Sequence, residues 1–416
     1  MAQEFTAKGD LRSGFGHLLE ALKLDPCHAE SIAAAAKAAK VLGDATGSAL
    51  FEALDRSIED PKHLYALGYH LIGMGRPDVS VSLLSKCLEL SPDNDDVRYE
   101  LGYSLFLTRS YRLAIEQLSA ATENLIPERA AAAELLRVEC LLLLGRLDKA
   151  DERIDLLRDE LASHDRSDSL EALELMASRL RGFDDGVAPA GVREWHYVQH
   201  GGVLLAESRA EQSAGRFQSL VMNAAAVGAI LRLLKTFLKG MRIDPEAILT
   251  LGGDGYPLAL AAGSILERPV RPFENRRGLR ELLVVDDTET LPPLDHELRD
   301  RESVEWLFSF RMNPSLDSAI LPDMVGLMAH SFRFYWQERV EIAMNDKKEP
   351  IGRSVAADRR PPDEIAREIA EQGAALPEDA KMAAVVEFFR KRRSLVVASN
   401  RESFPLRRAF TSFSPI

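Results

Sequence analysis

The sequence predicts an all-helical repeat array followed by an α/β domain with a mainly parallel sheet and a helical C-terminal extension. Apolar and small residues recur with a period of 34 residues in the first part of the chain, as in stacked helical repeats. After a segment rich in Gly, Pro and Asp, short apolar runs alternate with helical patterns, as in α/β domains. We predict the array over residues 1–180, a linker over 181–192 and the α/β domain over 193–345. Residues 346–416 form a linker, helices and a basic tail, and could complete the α/β domain.

The composition excludes several classes of protein. Of 416 residues, 46% are apolar and 28% are charged, which is ordinary for a globular chain and excludes a disordered or fibrous one. Three cysteines without a C-x-x-C pair argue against a disulfide framework and fit a reducing compartment. The N-terminus shows no secretory pattern, and the most apolar stretch, 220–238, is interrupted by polar and charged residues. We therefore expect a cytoplasmic protein without a membrane partner.

The charge is unevenly distributed along the chain. Residues 1–180 contain 20 Lys and Arg against 31 Asp and Glu, a net charge of 20 − 31 = −11, which disfavours binding to a phosphate backbone. Residues 381–416 contain eight basic and two acidic residues, a net charge of +6. Contact with nucleic acid or an acidic partner is therefore expected only from this tail, and we favour a solvated helix end and a loose terminus there.

Small residues mark the internal repeat. Gly68 and Gly102 lie 34 residues apart, as do Leu67 and Leu101, and matching apolar positions extend over about residues 1–162. This pattern resembles the tetratricopeptide repeat (TPR), in which a small residue lets the two helices of each unit approach closely. The resemblance implies four to five helical hairpins that share one core, and a helix over 166–181 is expected to cap them.

The resemblance also implies a groove that binds a protein partner. In this family the groove is lined by the first helix of each unit, and the matching positions here carry lysines and aromatic residues. These residues are Lys37, Lys40, Lys62, Tyr65, Tyr69, Tyr99, Tyr103 and Phe106. Tyrosines suit recognition surfaces, because each offers a rigid apolar ring with a polar end. The alternative is that some of them fill gaps between stacked helices. The Lys/Asn clamp with which relatives hold a C-terminal carboxylate is not apparent.

Strand and helix patterns alternate in the middle of the chain. The predicted strands are 195–206, 247–251, 269–273, 281–285 and 304–310, and the predicted helices are 216–239, 257–266 and 321–344. Two further helices, from 361 and over 380–393, and a final strand over 395–398 are expected in the C-terminal part. Ligands of parallel α/β sheets bind at the carboxyl ends of the strands, where the glycine-rich run 252–255 and an acid pair are expected.

Segments 251–263 and 282–290 resemble the strand, glycine loop, helix and double acid of type I phosphoribosyltransferases. The resemblance implies that the acids bind the ribose hydroxyls of phosphoribosyl pyrophosphate and that the loop after them holds its 5′-phosphate. The implied ligand-binding residues are Gly252, Gly253, Asp254, Gly255, Asp286, Asp287, Thr288 and Thr290. The loop departs from the family because Pro292 and Pro293 cannot donate an N–H and Glu289 adds a like charge.

We therefore predict an adaptor: an array that binds a protein partner, joined to a non-catalytic domain that serves as a second binding surface or nucleotide sensor, without a cofactor. The alternative is an active phosphoribosyltransferase, with Mg²⁺ held by Asp286 and Asp287. A nucleotide-dependent kinase is also conceivable, since the run Gly-Gly-Asp-Gly at 252–255 matches the phosphate loop of NAD and lipid kinases.

A histidine pair is the remaining candidate for a metal site. His196 and His200 would share one face of a helix, but the strand expected here would separate them by about 13 Å. No third ligand is evident in the sequence, so we expect no metal site.

Overall fold

The computed structural model describes residues 11–121, 125–161, 167–183, 189, 191–206, 219–278, 280–291, 298, 306–313, 320–344, 350–375 and 380–392. Contacts divide the chain into two compact units, with the boundary between Ala177 and Ser178. We call residues 11–177 the array and residues 178–392 the α/β unit, and each is described by itself; the last helix of the array runs past this boundary to Arg181.

The array consists of consecutive helices that pair as antiparallel hairpins, as predicted. In chain order the helices are α1 (Leu11–Leu24), α2 (Ala29–Val41), α3 (Ala45–Arg56), α4 (Pro61–Gly73), α5 (Pro77–Leu90), α6 (Asp95–Leu107), α7 (Tyr111–Ala120), α8 (Pro127–Leu143), α9 (Leu147–Leu161) and α10 (Ser167–Arg181). Side-chain caps set several helix starts: Asp44 accepts from Gly47 N at 2.8 Å and Asn94 accepts from Val97 N at 3.2 Å. The predicted array of helical hairpins is confirmed.

The repeated glycines lie where the two helices of a hairpin touch. A Cβ on Gly68 would lie 3.0 Å from Leu84 Cδ2 of α5, and a Cβ on Gly102 would lie 2.6 Å from Leu118 Cγ of α7. The 34-residue spacing therefore reflects a contact that each hairpin repeats. One apolar core runs through these hairpins, as expected for repeats that cannot bury their apolar faces alone.

The α/β unit is built on a six-stranded sheet whose strands all run parallel. Its order is β1-β7-β6-β5-β3-β4. The strands are β1 (Val203–Leu204), β3 (Ala247–Thr250), β4 (Val270–Pro272), β5 (Glu281–Asp287), β6 (Trp306–Met312) and β7 (Met324–Met328). The central strands β3, β5 and β6 are almost continuously apolar and buried, as parallel strands covered on both faces are.

Helices and two small sheets complete this unit. The helices are α11 (Val192–His200), α12 (Ala224–Met241), α13 (Tyr256–Leu266), α14 (Pro362–Ala374) and α15 (Ala380–Lys391). The pair β2 (Ser219–Met222) and β8 (Ser331–Phe334) is parallel, and the pair β9 (Arg339–Met344) and β10 (Pro350–Val355) is antiparallel. The predicted mainly parallel sheet and helical C-terminal part are confirmed, while the predicted strand over 395–398 lies outside the described residues.

The prediction of one long helix over 321–344 is wrong. This segment forms β7, β8 and β9, and burial alternates along β8: Phe332, Phe334 and Trp336 are buried, while Arg333 is exposed and Tyr335 half-buried. The same apolar residues also fit a helical period, which is why the pattern misled. Gly326 favours the strand, because glycine lets the backbone approach the neighbouring strand closely: a Cβ there would lie 2.5 Å from Phe310 O.

Two other predicted boundaries are also wrong. Residues 195–200 belong to helix α11 and not to a strand, and the helix ends at Gly201, whose φ of +71° suits a C-cap. The helix predicted over 216–239 begins at Ala224, because the Asn223 side chain accepts from Ala226 N at 2.9 Å and caps it. Strand β2 immediately precedes that cap.

Candidate functional site

The first candidate site consists of the predicted groove residues of α2 and α4 in the array. Leu64, Leu67 and Leu71 of α4 are buried in the core, so the other side of this helix faces away from it. Beside these leucines, Tyr65 and Tyr69 are half-buried and stack on each other with ring centroids 6.3 Å apart and planes inclined by 22°, and Tyr65 also packs against the core. The tyrosine pair therefore presents a rigid aromatic surface one helical turn long.

The other predicted groove aromatics lie in the core of the array. Tyr99, Tyr103 and Phe106 of α6 are at most 8% exposed and belong to the same apolar cluster as the repeat leucines. Because Tyr99 and Tyr103 lie 34 residues after Tyr65 and Tyr69, the sequence suggested the same exposure for both pairs. The structure brings Tyr65 and Tyr69 to a surface and places the other three between helices, the alternative that the sequence left open.

A charged network lies beneath this face and was not predicted. Arg129 of α8 forms ion pairs with Asp96 and Glu100 of α6, and its guanidinium carbon lies 5.5 Å from the centre of the Tyr99 ring. Arg129 also lies near Tyr65 of α4, and its positive charge opposes the rise in the pKa of that hydroxyl. The network thus joins the first helices of three hairpins. The 34-residue register slips just before Arg129. The repeat pattern therefore could not predict the position of this residue.

Burial controls the titration of this network. Glu100 is 4% exposed, and this burial raises its pKa to about 7, with Asp96 adding to the effect and Arg129 opposing it. Burial also raises the pKa of Tyr65 to about 12. The tyrosine pair therefore keeps neutral hydroxyls throughout the physiological pH range.

Three predicted lysines accompany the tyrosine pair. Lys37 and Lys40 of α2 and Lys62 of α4 are exposed. Lys62, Tyr65 and Tyr69 follow i, i+3, i+7 spacing and share one helix face, on which Lys62 lies about 10 Å along the axis from Tyr69. We call Lys37, Lys40, Lys62, Tyr65 and Tyr69 the groove face.

The second candidate site is the carboxyl edge of the parallel sheet. Strands β4, β3, β5, β6 and β7 lie side by side in this order. If they are numbered along the chain with β3 as strand 1, the order is 2-1-3-4-5, that of a doubly wound sheet. In this order the chain leaves β3 and β5 toward opposite edges of the sheet. A crevice is expected at such a switch point. The run 252–255 follows β3, and the acid pair ends β5. A Cβ on Gly255 would lie 3.5 Å from the Asp286 carboxyl carbon, so the structure brings the two predicted motifs together.

The glycine loop offers exposed backbone at this edge. Gly252 and Gly253 have φ of +77° and +59°, which only glycine adopts readily, and added Cβ atoms would meet nothing within 4 Å. Trp336 Nε1 donates to Asp254 O at 3.0 Å, and Gln337 Nε2 donates to Asp254 Oδ2 at 3.3 Å. These two residues, which follow β8, hold the loop in place. They were missed because the segment was predicted to be helical.

The two acids of the pair differ in their surroundings. Asp287 accepts from Arg311 Nε of β6 at 2.8 Å and from Glu289 N at 2.9 Å, and Arg311 also pairs with Glu289. Burial raises the pKa of Asp286, and the nearby carboxylates of Asp287 and Asp254 add to this. Asp287 is thus engaged within the protein, whereas Asp286 faces the glycine loop.

The described part of the segment after the acids, 288–291, already uses a backbone N–H within the protein. Thr288–Thr290 is a 3₁₀ turn in which Glu289 N donates to Asp287, so this N–H is already used. Thr288 is buried, and its hydroxyl has no hydrogen-bond partner among the residues that the structure describes. Pro292 and Pro293 lie outside the described residues.

Helix α11 brings His196 and His200 together, contrary to the strand predicted there. Their ring centroids lie 5.2 Å apart. His196 is 3% exposed, and burial lowers its pKa to about 4, with Arg179 adding to the effect. Among the described residues, His, Cys, Asp and Glu do not gather in groups of three or more that could hold a metal ion. Within the same residues, no helix is long and apolar enough to span a membrane.

Comparison with solved structures finds similarity to 40 chains, and a TPR protein is among them. The chain resembles YrrB, a TPR protein described as having an unusual peptide-binding site, with 22% identity over 39% of this chain and 84% of that chain and a TM-score of 0.27. This degree of similarity does not assign a function. No protein-family model matches the chain, and no curated protein matches it.

Proposed function

We propose that the chain is an adaptor whose array captures a segment of a protein partner on the groove face. The stacked, half-buried pair Tyr65–Tyr69 carries this proposal. Aromatic rings that the scaffold already holds in place lose little conformational entropy on binding, and they are enriched at the centres of protein interfaces. The Arg129 network lies beside the pair, since the charge of Arg129 acts on the pKa of the Tyr65 hydroxyl.

Selection of a phage-displayed library of random 12-residue peptides on the purified full chain tests this proposal. We expect enriched peptides to lose at least tenfold in affinity for Tyr69→Ala, measured by fluorescence anisotropy, because truncation removes one ring of the stacked pair. Leu113→Ala is the matched control: Leu113 is an exposed apolar residue of α7 in the same array. Thermal unfolding confirms that both variants are folded.

Two outcomes would contradict the proposal. One is that no peptide is enriched over a scaffold-free control, and the other is that enriched peptides bind Tyr69→Ala and the unaltered chain equally well. Tyr103 is unsuitable for this test, because removing a ring that is 8% exposed would damage the core.

We propose, second, that the α/β unit is phosphoribosyltransferase-like and has a non-catalytic nucleotide-sensing site at its sheet edge. The strand order supports this, since it brings the glycine loop and Asp286 to the switch point. The pairing of Asp287 with Arg311 speaks against metal-dependent transfer chemistry, because a ligand of Asp287 would have to displace a buried guanidinium.

Calorimetric titration with phosphoribosyl pyrophosphate, ATP and AMP, each with Mg²⁺, tests the second proposal. We expect micromolar binding of at least one compound, weakened at least tenfold by Asp286→Asn and unchanged by Asp363→Asn, an exposed acid of α14. Absence of heat for all three compounds would refute a nucleotide site. Turnover of a bound compound would favour the active enzyme.

A further inference from the structure

The acids beside the tyrosine pair are only partly neutralised. In the part of the chain that the structure describes, Asp96 and Glu100 of α6 share one cation, Arg129 of α8. Arg129 Nη1 donates to Asp96 Oδ1, whereas Arg129 Nη2 lies 3.6 Å from Glu100 Oε1, which is longer than a hydrogen bond. Glu100 is 4% exposed and accepts no hydrogen bond from the described residues. It is therefore a buried carboxylate whose counter-ion is mainly engaged elsewhere.

This excess of negative charge reaches both tyrosines. At the hydroxyls of Tyr65 and Tyr69, the charge of Glu100 raises the pKa more than the charge of Arg129 lowers it. At Tyr65 the charge of Asp96 raises the pKa further. With Glu100 ionised, these charges together therefore make the electrostatic potential at the tyrosine pair negative. The array as a whole has the same sign, since residues 1–180 carry a net charge of −11.

Part of this arrangement is accessible from outside. The Asp96 side chain is 53% exposed, and its Oδ2 accepts no hydrogen bond from the described residues. Tyr65 and Tyr69 are half-buried, so their stacked rings keep part of their surface exposed. Stacked rings near an exposed carboxylate suit an organic cation, because the rings attract its charge and the carboxylate pairs with it.

We propose that the segment captured on the groove face is basic, with an Arg or Lys side chain that packs on the tyrosine pair and pairs with Asp96. This inference rests on the adaptor function proposed above and specifies its partner. Either side chain brings an apolar stem for the rings and a charged end for the carboxylates. Lys62 lies about 10 Å from Tyr69 along α4, and the Asp60 carboxylate, which accepts from Lys62 N at 2.9 Å, offsets its charge.

The charges around Glu100 come from two of the helices that surround it. Arg129 of α8 and Asp96 of α6 act on its carboxyl, and the tyrosine pair of α4 is neutral near pH 7. Helices α5 and α7 meet α6 through uncharged residues: Ser80 Oγ lies 3.2 Å from Ser104 Oγ, and Leu118 packs on the second repeat glycine. The ionisation of Glu100 therefore sets the charge at this place in the array near pH 7.

Glu100 gives the inference a pH signature. Burial raises its pKa to about 7, so its ionised fraction grows from about a tenth at pH 6 to about nine tenths at pH 8. A bound cation favours the ionised carboxylate, so binding releases a proton and becomes tighter as the pH rises. The affinity for a basic segment is therefore expected to increase severalfold, and up to about tenfold, between pH 6 and pH 8.

The peptides selected on the full chain test this inference separately from the adaptor function. We expect enriched peptides to be basic overall and to share an Arg or Lys whose replacement by alanine costs at least tenfold in affinity. Asp96→Asn should weaken binding about threefold, since one exposed ion pair is lost. Asp155→Asn is the matched control and should leave the affinity unchanged: Asp155 is an exposed acid of α9 that lies 2.9 Å from Arg158.

Glu100→Gln separates the charge of this residue from its packing. The amide keeps the size of the side chain but cannot ionise. We expect this variant to bind more weakly than the unaltered chain at pH 8 and to lose the increase in affinity between pH 6 and pH 8. A loss of packing alone would leave that increase in place. Fluorescence anisotropy with peptides that lack histidine measures both effects, and thermal unfolding confirms that the variants are folded.

Three results would refute the basic segment and leave the adaptor function standing. The first is enrichment of acidic or neutral peptides that still require Tyr69. The second is equal affinity of Asp96→Asn and Asp155→Asn for the enriched peptides. The third is the same dependence on pH in Glu100→Gln as in the unaltered chain. Absence of any enriched peptide would refute both proposals.

Discussion

Replacement of Gly228 by alanine should force apart helices α12 and α14 of the α/β unit. Gly228 lies in α12 and faces Gly373 of α14. An added Cβ would lie 2.6 Å from Gly373 Cα and 2.8 Å from Gly373 N, and it would also collide with Ile369 O. All three are backbone atoms, so no side-chain rotation can relieve the overlap.

The expected loss of stability follows from two opposing terms. Alanine in place of glycine favours a helix by up to about 1 kcal/mol. Overpacking in a close-packed core costs about 1–3 kcal/mol, and more when only backbone can move. Since normal contact needs about 3.4 Å, the helices must separate by close to 1 Å. We therefore expect Gly228→Ala to lower the free energy of unfolding by about 2 kcal/mol or more, measured by urea denaturation followed by circular dichroism.

Gly16→Ala is the matched control for this prediction. Gly16 lies in α1 of the array, and an added Cβ would meet nothing within 4 Å. Only the higher helix propensity of alanine then affects stability, and we expect the free energy of unfolding to rise by up to about 1 kcal/mol. A Gly228→Ala variant as stable as the unaltered chain would refute the close approach of α12 and α14.

Three further predictions concern buried polar groups. The pKa of His196 is lowered to about 4 from about 6.5, so its contribution to stability is present above pH 6.5 and is lost as the pH falls through 4. That loss reaches about 3 kcal/mol, and urea denaturation at pH 4.5 and 7 should show a difference that His196→Gln removes. Arg311→Met should cost about 3–5 kcal/mol in the same assay, because Asp287 loses its buried cation; a loss below 1 kcal/mol would refute this pairing. Burial raises the pKa of all three thiols, but Cys87 and Cys140 are buried whereas Cys27 is half-buried, so Ellman's reagent should modify Cys27 first and the other two only after unfolding. Equal rates for all three in the folded chain would contradict that burial.

Local patterns in the sequence predicted the elements that repeat or alternate in a simple way. The contact between paired helices at Gly68 recurs at Gly102, so one spacing revealed the array. The strand, glycine loop and helix from 247 to 266 were predicted because three short signals follow one another directly.

Features that depend on distant partners were not predicted. Arg311 is buried because β6 aligns it with Asp287 of β5 in the sheet, and that register cannot be obtained from either strand alone. Tyr69 and Tyr103 occupy related repeat positions, yet Tyr103 is buried and Tyr69 is only half-buried. Residues 321–344 fit both a helix and strands, and the sheet that β7 joins decides between them.

The sheet order also has a consequence for how the chain folds during synthesis. Edge strand β1 pairs Val203 with Met324 of β7, across 121 positions of sequence, so β1 must wait for β7 to leave the ribosome. Each hairpin of the array contacts mainly its neighbours and needs no such wait. The array can therefore fold on a nascent chain whose sheet is still open at one edge. Until β7 arrives, the unpaired backbone of β1 is the part of the chain most exposed to pairing with the wrong strand.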